Sequence, residues 1–137
     1  MGSKEWYWKN RTKALQYKKE HNSHPSVIFT VLKHNAKKRG IPFYLSLEEF
    51  IKWYSNKEKV CFYCKRGVKQ CLKDKGIGSG LTRLTIDRKN NNLGYIFSNL
   101  VLACYMCNHI KGDYFTVEEM IKIGKIISTK EKKNGDK

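Results

Sequence analysis

Two short cysteine turns, Cys61-Phe62-Tyr63-Cys64 and Cys104-Tyr105-Met106-Cys107, constrain this chain more than any other feature. Two residues between cysteines let both thiolates of a turn face one ion, and two such turns complete a tetrahedron around Zn2+. Two redox pairs would each want a thioredoxin-like helix start. Two disulfides would want an oxidising compartment that nothing in the sequence advertises. The spacing therefore predicts a structural zinc site of Cys61, Cys64, Cys104 and Cys107. The gap between the turns exceeds the roughly 15–20 residues of a compact zinc ribbon, so residues 65–103 need structure of their own. Cys71 is left over and reads as a plain buried or partly exposed thiol.

Around these turns the pattern alternates helix and strand. Residues 4–21 lack Pro and Gly and read as a helix; His21-Asn22-Ser23-His24-Pro25 breaks it, with Ser23 able to cap the next helix. Residues 26–39 place Ile28, Leu32 and Ala36 beside Val27, Val31 and Asn35 on adjacent helical rows, and Gly40 stands in the C′ position. After an extended link through Pro42, Ser46 and Glu49 make a capping box for a helix to about Asn56, expected to bury Leu47, Phe50, Ile51 and Tyr54. Residues 65–80 read as a loop, 81–86 as a strand, 87–94 as a polar loop, 99–102 as a second strand and 105–112 as a short helix. Thr116 and Glu119 open a last helix with Met120, Ile123 and Ile127 inward, and 130–137 read as a frayed tail.

The charge narrows the partners. The chain carries 28 Lys+Arg against 12 Asp+Glu, a net +16, spread evenly over both halves rather than confined to a tail. A solvated lysine-rich surface would account for part of it. No stretch combines a basic face with a clean amphipathic repeat, which argues against a membrane surface. No apolar run nears the roughly 18 residues of a span, and no secretory signal follows Met1, so a cytoplasmic, non-secreted protein is expected. Nucleic acid is the favoured partner, since phosphate neutralisation rewards Lys and Arg whatever the sequence read.

Inside and after the zinc loop come Leu84-Thr85-Ile86-Asp87-Arg88, Gly94-Tyr95, Asn99-Leu100-Val101-Leu102 and Cys107-Asn108-His109-Ile110-Lys111-Gly112-Asp113. Here the chain resembles the HNH endonucleases, whose ββα-metal site often carries such a pair of knuckles. The resemblance is close over 61–115. Lys37-Lys38-Arg39-Gly40-Ile41-Pro42-Phe43 also looks like the arm ahead of many phage-type members. The residue types make chemical sense on their own terms. Phosphodiester hydrolysis needs an activated water, a Lewis acid on the phosphate and help for the leaving oxygen. A carboxylate at a strand end (Asp87) and an amide oxygen on a zinc-fixed helix (Asn108) suit Mg2+ or Mn2+.

The resemblance implies that Asp87 and Asn108 hold the catalytic ion and that Asn99 keeps the loop in shape. It puts Lys111 where it could contact DNA phosphate and gives Asp113 a structural position. Lys37, Lys38 and Arg39, at a helix end whose macrodipole they favour, read beside a nuclease core as further phosphate contacts. Most of the family has His after the Asp as general base; here Arg88 stands there and stays protonated. Arg88 would instead clamp the scissile phosphate, as in an Arg-bearing subset (Asp-Arg, then Gly-Tyr, then Asn) in which a loop tyrosine substitutes as base. That points to Tyr95, for which a packing role in the Gly94-Tyr95 turn is nearly as good a reading. His109 is the other candidate, but should point off the metal face. Trp6, Trp8 and Trp53 read as packing residues.

The expected protein is α+β: a helical arm over 1–57 that contacts DNA and packs, a zinc-stabilised ββα-metal core over 58–129 with a C-terminal helix, and a tail over 130–137. The expected activity is hydrolysis of double-stranded DNA to 3′-hydroxyl and 5′-phosphate ends, site-specific as in restriction or homing enzymes, or nicking. A homodimer would serve a double-strand cut. The rival reading is a non-catalytic zinc module that binds nucleic acid, which would not need Asp87, Asn99 and Asn108 together.

Overall fold

A computed structural model describes residues 24–73 and 83–135, with Glu5, Asn10, Arg11 and Lys13 ahead of them. The helix expected over 4–21, with Trp6 and Trp8, and the start of the expected strand at 81–82 lie largely outside the described residues.

Among the elements described in full, the first helix, α1 (Pro25–Arg39), starts at a proline whose missing N–H costs nothing there. Its cap is His24, whose Nδ1 accepts from Ser26 N at 3.3 Å, whereas Ser23 lies outside the described residues. At the other end Gly40 takes φ 69°, where a Cβ would be strained, and Ile41 N reaches back to Ala36 O at 2.8 Å. Ile28, Phe29 and Ala36 are buried, while Val31 faces outward. Helix α2 (Leu47–Asn56) starts at Ser46, whose Oγ accepts from Glu49 N at 3.3 Å; losing such a cap costs about 1 kcal/mol. Phe50 and Tyr54 are buried as expected, but Leu47 is exposed and Ile51 half-buried. Leu47 occupies the first turn, where the chain is still arriving from the surface.

Between these helices the extended segment at Pro42–Tyr44 is stitched to the loop that precedes the second strand. Tyr95 N donates to Pro42 O at 2.9 Å and Tyr44 N to Tyr95 O at 3.0 Å. Gly94 is required by this approach, since a Cβ there would lie 2.5 Å from Pro42 O. Phe29, Phe43, Phe50, Trp53, Tyr95 and Phe97 pack in one aromatic cluster with centroid spacings of 5.4–6.2 Å. Each such pair adds about 0.5–1.5 kcal/mol beyond burial. Trp53 is thus a packing residue, and the helices share a core with the loop beside the site.

A short helix, α3 (Val68–Cys71), interrupts the expected loop after the first cysteine turn. Among the described residues the sheet is one antiparallel hairpin, β1 (Thr85–Arg88) with β2 (Leu100–Ala103), in the register Thr85↔Ala103, Ile86↔Leu102, Asp87↔Val101 and Arg88↔Leu100. Strand β1 runs later in sequence than expected, so Asp87 lies within the strand and not just beyond it. Pairing with the wholly buried β2 decides this over local β propensity. Asn99 closes a 3-10 turn at Phe97–Asn99. Helices α4 (Tyr105–Lys111) and α5 (Val117–Gly135) complete the chain. The capping box at α5 is complete: Thr116 N donates to Glu119 Oε1 and Glu119 N to Thr116 Oγ1. The helix continues through Gly135, where a frayed tail is expected from 130; from there no Pro or Gly stands before Asn134-Gly135, the residue types that end helices. Among the described residues no helix is long and apolar enough to cross a membrane.

Candidate active site

The two cysteine turns meet. The four Sγ atoms of Cys61, Cys64, Cys104 and Cys107 lie within 4.8 Å of one another, all buried. A regular tetrahedron at the ordinary Zn–S distance has edges of about 3.8 Å, and Cys64 Sγ stands 3.9 Å from Cys104 Sγ. This donor set and size fit a metal ion such as zinc. Arg66, which sequence reasoning overlooked, donates from Nε to Cys64 Sγ at 3.1 Å and from Nη2 to Cys104 Sγ at 3.7 Å, placing a cation against sulfurs that carry negative charge as ligands. Hydrogen bonding within the cluster splits the four thiols: it pulls Cys64 down, chiefly through Cys104, and Cys104 down, chiefly through Cys107, and pushes Cys61 and Cys107 up, chiefly through Cys104. Cys71 is buried and directs its thiol at Arg66 O, 3.6 Å away.

The first turn is pinned to the hairpin by Phe62 N donating to Leu102 O at 2.8 Å. The second turn caps α4: Cys104 Sγ accepts from Cys107 N. So α4 starts at the cysteine cluster and lies across β1. Asn108 extends from it to donate Nδ2 to Thr85 Oγ1 at 2.9 Å, which turns its amide oxygen away from Thr85. One turn later Lys111 reaches the same strand. Thr85 and Asp87, two apart, share one face of β1, so Asn108 and Asp87 are brought to the same side of the hairpin.

Asp87 is buried, 5% exposed. Its Oδ2 accepts from the Tyr63 hydroxyl, and its Oδ1 lies 3.5 Å from Lys111 Nζ. Burial raises the Asp87 carboxyl above the usual range, partly offset by the Tyr63 hydrogen bond and the Lys111 charge. The Tyr63 phenol is pushed upward, chiefly by its own burial and then by Asp87, so it stays protonated and donates. Sequence reasoning missed Tyr63 too; its only signal is its place between two zinc-spaced cysteines.

Lys111 departs from expectation. It is 1% exposed, and its Nζ donates to Arg88 O at 2.9 Å and to Asn91 Oδ1 at 3.4 Å. Its charge thus meets Asp87 and the loop, buried where an exposed cation is expected. Asn99 holds the loop as expected: Oδ1 accepts from Asn90 N at 2.9 Å, and Nδ2 donates to Asn90 O at 3.0 Å and Gly94 O at 3.1 Å. Asp113 accepts from Asn91 Nδ2 at 2.9 Å, a structural tie. Arg88 braces the same loop, Nη1 donating to Asn91 O at 2.9 Å and Leu93 O at 2.8 Å. Its guanidinium lies 5.4 Å from the Tyr95 ring centroid. The Tyr95 ring is buried between Arg88 and Phe43. His109 stacks on Tyr105 on the exposed side of α4. Lys37, Lys38 and Arg39 are exposed on the last turn of α1, just before the stitch to Tyr95.

A hairpin carrying Asp87, a crossing helix carrying Asn108 and a four-cysteine cluster beside both make a mixed helix-and-hairpin fold similar to that of an HNH endonuclease. Among solved structures the chain is similar to the rare-cutting HNH restriction endonuclease PacI, with a TM-score of 0.69 and 28% identity, covering 79% of each chain. No family model matches the chain. Among curated proteins it is 38% identical over 76 residues to an uncharacterised protein of Acanthamoeba polyphaga mimivirus. That match takes in 56% of this chain and 12% of the relative, so the chain spans about an eighth of the relative's length.

Proposed function

We propose that this protein is a divalent-metal-dependent endonuclease that hydrolyses phosphodiester bonds in double-stranded DNA, either at specific sites or as a nickase. The observation that carries the reading is the convergence of Asp87 and Asn108 on one side of β1, one a carboxylate and the other an amide oxygen donor. Such a hard oxygen set suits Mg2+ or Mn2+, with Zn2+ at the four cysteines. When bound there, the divalent ion would polarise the phosphate and make water more acidic.

The chain's own residues supply the rest. Arg88 uses Nη1 on the loop and has Nε and Nη2 to hold the scissile phosphate; its fixed charge stabilises the charge that builds there. For the proton of the attacking water we favour Tyr95 over His109, since Arg88 packs Tyr95 against the strand that carries Asp87. Lys37, Lys38 and Arg39 supply exposed charge for the DNA backbone, in keeping with the net +16. One ββα-metal unit acts on one strand, so a double-strand cut would use a homodimer.

The test is purified protein with supercoiled plasmid and Mg2+. The expected result is nicked or linear product from wild type and none from Asp87→Ala or Asn108→Ala. A wild type that shifts plasmid mobility without ever breaking a strand would instead identify a non-catalytic zinc module. Parallel reactions with RNA decide the substrate.

A further inference from the structure

Tyr63 stands at the junction of the two metal sites. Its neighbours on either side are arms of the cysteine cluster: Cys61 precedes it by two residues and Cys64 comes directly after it. Its ring is 1% exposed, and its hydroxyl ends on Asp87 Oδ2. The backbone of the turn is anchored separately. Cys61 N donates to Arg66 O at 2.9 Å, Lys65 N to Cys61 O at 2.9 Å, and Phe62 N to Leu102 O at 2.8 Å. Lys65 takes φ 62°, a left-handed conformation that a lysine adopts at a cost. From behind, helix α5 presses its backbone on the turn at Gly124, where a Cβ would lie 2.1 Å from Tyr63 O.

We propose that Tyr63 is a positioning residue that couples the cysteine-bound metal to the catalytic one, its hydroxyl fixing the rotation of the Asp87 carboxylate according to the shape of the occupied cysteine turn. The inference rests on the reading of Asp87 as a divalent-ion ligand. A carboxylate on a strand is otherwise free to turn about χ2. With Tyr63 on Oδ2 and Lys111 beside Oδ1, the plane of the carboxylate is set. Partners of this kind, which touch a ligand and not the ion, are worth about 10–100-fold in metal affinity. The hydroxyl is the atom through which the turn touches Asp87, so Tyr63→Phe removes the link and keeps the packing ring.

The test uses the full zinc-loaded chain without DNA and follows Mn2+ binding by electron paramagnetic resonance. Tyr63→Phe is expected to weaken Mn2+ binding by about 10-fold or more, while the thiolate-to-metal band of the Co2+-substituted cysteine site stays at its wild-type position. In Cd2+-loaded wild type, Mg2+ is expected to move the 113Cd resonance, and in Tyr63→Phe to leave it in place. A Tyr63→Phe chain that binds Mn2+ as wild type does and still transmits the Mg2+ signal overturns the coupling and leaves the Asp87 reading intact. If Asp87→Ala and wild type bind Mn2+ equally, the Asp87 reading fails and takes the coupling with it. Should Tyr63→Phe lose the cobalt band, the 13Cζ resonance of Tyr63 in wild type decides: a shift on adding Mg2+ supports the link, and none overturns it.

Discussion

Lys111 and Asp87 form a buried ion pair, with Nζ 3.5 Å from Oδ1 and side-chain exposures of 1% and 6%. Lys111 also ties Arg88 O and Asn91 Oδ1 to α4, so one ammonium joins helix, strand and loop behind the candidate metal site. Removing one member of such a pair leaves a buried charge without compensation and costs about 3–5 kcal/mol. Lys111→Met is therefore expected to lower the urea midpoint of unfolding by an amount corresponding to a loss in this range. A variant that unfolds with wild-type stability and loses only DNA affinity would restore Lys111 as a phosphate contact.

The same environment sets a pH dependence. Burial raises the Asp87 carboxyl above the usual carboxylate range, and Tyr63 and Lys111 pull it partly back. The folded chain thus holds this proton more tightly than the unfolded one. Asp87 contributes stability below its unfolded pKa, and that contribution is lost as pH rises through the folded value. Ion binding runs the other way, since the divalent cation needs the carboxylate. Mn2+ affinity is expected to fall, as pH is lowered, at a higher pH than for an exposed aspartate. In Lys111→Met that midpoint moves higher still. A midpoint at or below the ordinary aspartate value would contradict the burial argument.

Much of the site was legible in the sequence because its elements are local. Cysteine spacing fixes a tetrahedron, and Asn108 stands directly after a ligand. Asn99 meets the loop it braces within ten residues. Capping residues at Ser46 and Thr116 mark helix starts by short-range chemistry. What escaped depends on contacts between distant segments. The Tyr63–Asp87 hydrogen bond joins residues 24 apart, and no periodicity announces it. Lys111 reads as a surface cation until α4 is laid on β1. The strand at Thr85–Arg88 obeys the register of β2 rather than the alternation at 81–86. The stitch between Pro42 and Tyr95 turns an apparent arm into part of the core.

Gly124 carries the contact between α5 and the first cysteine turn. A Cβ there would lie 2.1 Å from Tyr63 O and 2.9 Å from Cys64 N, both backbone atoms. Since neither can rotate aside, Gly124→Ala must push the helix and turn apart. Overpacking of this kind costs about 1–3 kcal/mol. The expected outcome is a lower melting temperature together with faster loss of the cysteine-bound metal to a chelator, read with a colorimetric dye. At Gly40 the added Cβ meets open space but has φ 69°, so Gly40→Ala should cost about 1–2 kcal/mol without altering metal release. Equal metal release in the two variants would show that α5 does not brace the turn.

Lys37, Lys38 and Arg39 offer the cleanest measure of DNA engagement, because they are exposed and lie outside the hydrogen bonding of the site. Each phosphate neutralised contributes about −0.9 to the slope of log K against log salt on duplex DNA. If all three touch phosphate, the triple alanine variant should reduce the slope by about 2.7, with affinity falling alike for unrelated duplexes. Anisotropy with labelled duplex in Ca2+, across a salt series, gives both quantities. The variant should stay within about 0.5 kcal/mol of wild-type stability, as surface changes do, after allowing for the helix dipole these cations complement at the end of α1. An unchanged slope would move the duplex to another face and leave the triplet as a solvated helix end.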